Sequence, residues 1–161
     1  MTEVERILDQ YDRAMNGDAW HGDPVWRILG GLSAEHAAWR AAKQVHTIWQ
    51  LVSHMTFWET EVFRRLNRLP ARPVEELNFP PMPDVTADNW TRTLEELRQS
   101  NLNFRTALTK LDDSQLDQPM PGRDKSTYVE IHGVIQHHLY HAGQIAILSK
   151  LLAGSKVVTR L

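Results

Sequence analysis

Apolar residues return every three or four positions in four stretches of the chain, and that period predicts helices. Val4, Ile7, Leu8, Tyr11 and Met15 form the first stripe, and Asn16-Gly17 closes it where a helix end favours glycine. From about Gln44 to Leu69 no Pro or Gly intervenes, and Ile48, Leu51, Met55, Trp58, Val62, Leu66 and Leu69 predict a second helix. Thr86 or Asp88 can cap a third that runs to about Leu111, with Trp90, Leu94, Leu97, Leu102, Phe104 and Leu108 on its buried side. A fourth starts at Ser126 or Thr127, with Glu130 spaced for a capping box, and runs to about Leu152 before Gly154.

The connections are long. Asp18 to Arg40 reads as a loop holding a short helix after Asp23, where Pro24 suits a first turn, and as a lid or end cap. Pro70 to Pro83 contains five prolines, so an extended connection of polyproline character is expected there. Asp112 to Lys125, with Pro119, Pro121 and Gly122, joins the third helix to the fourth. Nothing reads as a strand. The expected fold is all-α, an antiparallel four-helix bundle in one domain over 1–161, with long connections between helices one and two and between helices two and three.

Charge narrows the function. The 18 Lys and Arg nearly balance the 20 Asp and Glu, and no basic run supplies a footprint for phosphates, so nucleic acid is not an expected partner. The stretch from Met1 to Met15 is acidic and amphipathic, without the pattern of a signal peptide, so a cytoplasmic protein with no membrane partner is expected. With no cysteine among 161 residues, thiolate metal sites and cysteine nucleophiles are excluded, and a metal would need histidine and carboxylate.

Eight histidines are present. On the last helix His137, His138 and His141 point toward or beside the apolar arc marked by Val134, Ile145 and Leu152, whereas His132 faces away. His137 and His141 stand at i and i+4, the spacing by which one helix offers two nitrogens to one ion. On the second helix His54 lies at the edge of the stripe, with Gln50, Trp58 and Glu61 within about 40° of it. His36 and His46 read as surface or capping residues. A single inward histidine is as readily a core residue bonded to a carbonyl, and helical angle alone does not choose between His137 and His138.

Two segments carry a resemblance. His46 to Met55 (HTIWQLVSHM), followed by Trp58-Glu59, resembles the second-helix signature of the DinB/YfiT-like bacterial metalloprotein family. Gly133 to Ile145 (GVIQHHLYHAGQI) resembles its last-helix signature, and Ala19-Trp20-His21-Gly22 its first-loop motif. The resemblance implies a four-helix bundle and a divalent metal, Zn, Ni, Fe or Mn, held by three histidines. Those are His54, His137 and His141, which selects His137 over His138.

Three imidazoles leave coordination positions open, as catalytic sites do. The resemblance implies either metal-dependent hydrolysis or transfer of a low-molecular-weight thiol such as bacillithiol or mycothiol as co-substrate. The substrate is expected to be a small molecule. Gln50 and Glu61 are candidates for orienting a ligand or accepting a proton, the alternative for Glu61 being a solvated surface position. Trp20, Trp26, Trp49 and Trp58 could wall an apolar pocket. Val129, Leu139, Tyr140 and Ile147, opposite the core face of the last helix, suggest a homodimer. The rival reading is a metal-stabilised, non-catalytic ligand- or partner-binding protein of a stress response.

Overall fold

A computed structural model describes residues 1–158, with side chains to residue 154. Among the described residues the chain is helical: α1 (Glu3–Met15), α2 (Val25–Leu29), α3 (Ala34–Ala38), α4 (Ile48–Leu66), α5 (Val74–Leu77), α6 (Ala87–Leu108) and α7 (Thr127–Val158), with a tight turn of helix at Asp113–Gln115. No described helix is long and apolar enough to cross a membrane.

The four long helices stand where the apolar periods put them, and their ends follow from local chemistry. Thr2 and Glu5 form a capping box on α1, and the Asp113 carboxylate accepts the first-turn N–H groups of Glu3 and Val4 at 2.9 Å each. α4 begins at Ile48 rather than near Gln44, because Thr47 caps it and the Gln50 side chain returns to the Thr47 N–H. It ends at Leu66, two residues before Arg68 takes a left-handed φ of 55°. Thr86 caps α6, which stops at Leu108, short of Leu111. At the start of α7 the Ser126 hydroxyl accepts the Val129 N–H, whereas Glu130 turns away to Arg65 and Arg123, so no capping box forms. Gly154 does not stop α7, which continues to Val158.

The connections hold more structure than their composition predicts. The proline-rich stretch contains α5, one turn begun at Pro73, where a missing N–H is harmless. The segment from Asp18 to Arg40 holds two short helices instead of one. It is part of the core: Val25 and Leu29 of α2 and Ala34 and Ala37 of α3 are buried, with α2 against α1 and α7 and α3 against α4 and α6. The core itself is built from Ile7 and Tyr11, Trp49 and Met55, Leu97 and Phe104, and Ile131 and Ile145, contributed in pairs by α1, α4, α6 and α7. Val129, Tyr140 and Ile147 of α7 are exposed, while Leu139 packs partly against the core.

At the centre lies a carboxylate. Glu59 of α4 is fully buried and accepts from Tyr11 Oη of α1 at 2.5 Å and from Asn101 Nδ2 of α6 at 2.7 Å. His138 Nε2 of α7 is 2.9 Å from its Oε1, and Asn101 in turn accepts from Trp26 Nε1 of α2 at 3.0 Å. One side chain therefore bonds three other long helices. Burial, and after it the charge of Glu59, raises the Tyr11 pKa well above its ordinary value, so the phenol remains a donor.

Removing that carboxylate strands three buried partners together. Glu59→Ala is expected to destabilise the chain by about 3 kcal/mol or more, and Tyr11→Phe by about 1 kcal/mol. Urea unfolding midpoints measure both, and equal losses in the two variants would contradict a shared hub.

Candidate metal centre

α4 and α7 run against each other, and three imidazoles meet in their seam. His54 Nε2 lies 2.9 Å from His137 Nε2, which lies 3.0 Å from His141 Nε2. The donor atoms of the three are within 4.8 Å of one another. His54 and His141 are buried at 7% and 6% exposure, and His137 is partly buried.

Their outer nitrogens decide what the inner ones can do. His54 Nδ1 faces the Asn78 carbonyl at 3.0 Å, an acceptor, so Nδ1 carries the proton and Nε2 presents a lone pair. His141 Nδ1 faces Gln144 Oε1 at 2.8 Å, with the same consequence. Two lone pairs thus converge beside His137 Nε2, which has at most one proton to give. A neutral hydrogen-bonded trio cannot satisfy that arrangement, whereas a cation can. Two ligands at a bond length of about 2.05 Å stand about 2.9 Å apart at right angles and about 3.3 Å apart in a tetrahedron, so both short edges are of the size one ion would span. His137 Nδ1 is buried without a partner, so this ring is held by packing and by its two neighbours.

The surroundings keep the rings neutral. Burial, followed by the neighbouring imidazoles His141, His138 and His54, lowers the His137 pKa from 6.5 to about 3. Burial is also the largest cause of the lowered pKa values of His54 and His141. Neutral imidazole is the form that ligates a metal.

The proline-rich connection closes one side. Phe79 stacks on His54 with centroids 4.1 Å apart and on His46 at 4.0 Å, while Asn78 accepts the Trp58 indole N–H at 2.8 Å. Asn78, Phe79 and Gln144 were not singled out in the sequence. Gln144 is legible afterwards as the residue one turn beyond His141; the other two come from a connection with no period to read.

The remaining expected residues lie elsewhere. Gln50 is occupied at the start of α4, where its side-chain oxygen also accepts from Arg40 at 2.9 Å. Glu61 is buried rather than solvated, and its carboxylate is bound by Arg72, with Arg64 3.9 Å away. His138 belongs to the Glu59 network, not to the trio. His132 lies against Tyr128, with ring centroids 4.3 Å apart. Of the four tryptophans expected to form a pocket, only Trp58 is at the site: Trp20 is fully exposed, Trp26 bonds Asn101, and Trp49 packs on Trp90.

A family model described as the DinB superfamily matches residues 19–145, a span that includes all three histidines and Glu59. No curated protein and no solved structure matches the chain.

The lowered pKa values set a pH dependence for metal-free protein. Between about pH 6.5 and about pH 3 the unfolded chain protonates a histidine that the folded chain keeps neutral as His137. Stability is therefore full above that window and falls as the pH drops through it. Urea unfolding of chelator-treated protein at neutral and mildly acidic pH checks this, and His137→Leu should flatten the dependence.

Proposed function

The chain belongs to the DinB superfamily, and from that membership and the histidine cluster we propose a metal-dependent enzyme acting on a small molecule. His54, His137 and His141 are the ligands of one divalent ion through their Nε2 atoms. The observation that carries this reading is the convergence of two lone pairs, fixed by Asn78 and Gln144, on the third imidazole.

A divalent ion held there by His54, His137 and His141 would supply Lewis acidity, lowering the pKa of a water or an external thiol toward neutrality. The chain's own groups do the rest. His54 and His141 are oriented by their outer hydrogen bonds, which fix the tautomer and the direction of the lone pair. Phe79 covers the His54 ring and keeps water from that side. No cysteine is present, so a thiol reaction requires an external co-substrate such as bacillithiol or mycothiol. Hydrolysis and thiol transfer share this geometry. In the same reading the four long helices form the bundle of the family, and two copies pair through the exposed apolar residues of α7.

The Glu59 network favours a catalytic over a structural ion, because it joins the four long helices through bonds that do not involve the trio. Elemental analysis of untagged protein is expected to find about one divalent metal per chain, lost in His54→Ala and His141→Ala and retained in His132→Ala and His46→Ala. Loss in His138→Ala but not in His137→Ala would reassign the third ligand. Chelation should lower the melting temperature by only a few degrees; collapse of the fold on chelation would instead favour the metal-stabilised, non-catalytic reading.

A further inference from the structure

A cavity of about 380 Å³ opens along the α4–α7 seam beside His137. Its walls are mainly apolar, formed by Trp58 and Val62 of α4 and by Val129 and Val134 of α7, with Gln136 next to His137. Its far end is not: Arg65, Arg123 and Lys125 gather there with Glu130. Glu130 is bound by Arg65 at 3.2 Å and by Arg123 at 3.1 Å, so one carboxylate serves two guanidiniums. Arg65 and Glu130 are nearly buried, with side chains 13% and 9% exposed. That pair is therefore built into the wall, with Arg123, 40% exposed, and the exposed Lys125 at its solvent edge. Three cations face one anion. Lys125 is exposed and among the described residues makes no ion pair within 4.0 Å, which leaves positive charge unspent at the cavity end.

Gly133 lies between the two ends on α7 and lines the cavity. A Cβ placed on it would meet no atom within 4 Å. A glycine within a helix is unfavourable on its own terms, and nothing packed against it requires its small size. What its lack of a side chain does is leave the cavity open between His137 and the cations.

We propose that this cavity binds the substrate as an amphipathic organic acid, with its anionic group at Lys125, Arg123 and Arg65, its apolar body between Trp58, Val62 and Val134, and its reacting end at His137. The inference rests on the reading of the histidines as a metal centre and names the class of molecule that centre acts on. Glu130 and His137 are two helical turns apart, so the acid and the reacting group stand roughly 10 Å from each other. Carboxylates and phosphate monoesters share the required chemistry.

Calorimetric titration of the metal-loaded full chain with phenylbutyrate, phenylbutyl phosphate and the neutral phenylbutyramide tests it. Both acids are expected to bind about tenfold tighter than the amide, the tighter of the two identifying the acid. Lys125→Gln should reduce that preference several-fold and leave amide binding unchanged. Gly133→Leu should weaken all three by about tenfold or more while metal content and melting temperature are kept. Equal affinity for acid and amide, or undiminished binding in a folded Gly133→Leu protein, overturns the proposal. The metal reading fails separately: metal retained in His141→Ala sinks that assignment and leaves the acid-to-amide ratio untouched, whereas a lost ratio with metal in place sinks only the cavity.

Discussion

A carboxylate buried in a helical core must find donors there, and Glu59 finds them on each of the other three long helices. Apolar packing alone tolerates sliding and rolling of one helix against another, since Leu and Ile surfaces are broadly interchangeable. A hydrogen-bonded ion does not, because a shift of an ångström leaves a polar group without a partner. Tyr11, Asn101 and His138 therefore set the roll of α1, α6 and α7 about α4. The roll of α7 decides the rest. With His138 turned onto Glu59, the residues beside and after it, His137 and His141, are turned to the face where His54 of α4 waits.

The seam site is assembled from parts with different loyalties. The two long helices supply the ring nitrogens, but the tautomer of His54 is set by a backbone carbonyl from the connection after α5, and its open face is covered by Phe79 of the same connection. A segment rich in proline loses little further backbone entropy on being ordered, which suits it to carry orienting groups without a helix of its own. Trp58 fastens it by donating to the Asn78 side chain. The result is a set of buried, neutral imidazoles whose lone pairs are aimed before any ligand arrives.

How much of this could be read in advance depends on period. Four apolar stripes located the long helices, and i,i+4 spacing paired His137 with His141, because both signals are local. Helical angle left His137 and His138 equivalent, since both flank the same arc; the resemblance selected His137, and in the structure His138 is drawn to Glu59 on another helix. Glu59 itself carries a local signal. It sits between Met55 and Val62 on the apolar stripe of α4, where a charge has no solvent to face. Glu61 and Gln50, chosen for sharing a face with His54, are instead held by Arg72 and by the helix cap. Shared angle says nothing of the several ångströms of rise between residues, nor of partners brought in by a loop. Asn78 and Phe79 lay beyond such reasoning altogether, as no period orders their stretch.

Electrostatics joins the two halves of the seam. A divalent ion held by His54, His137 and His141 would keep its full double charge, because no carboxylate stands among those three residues. Glu59 is fully engaged in the core, and Glu61 and Glu130 are each bound by arginine. Farther along, Arg123 and Lys125 add positive charge. The whole groove is thus short of anions, at the histidine cluster and at the cavity end alike. A neutral molecule entering it would bring no partner to the excess positive charge at the cavity end. A molecule that brings one negative group for the cations answers the demand at that end, and a water or thiol at the other end would give its proton to solvent under the same positive field. The same charges that hold such a substrate would favour the deprotonation it needs, so binding and activation draw on one field.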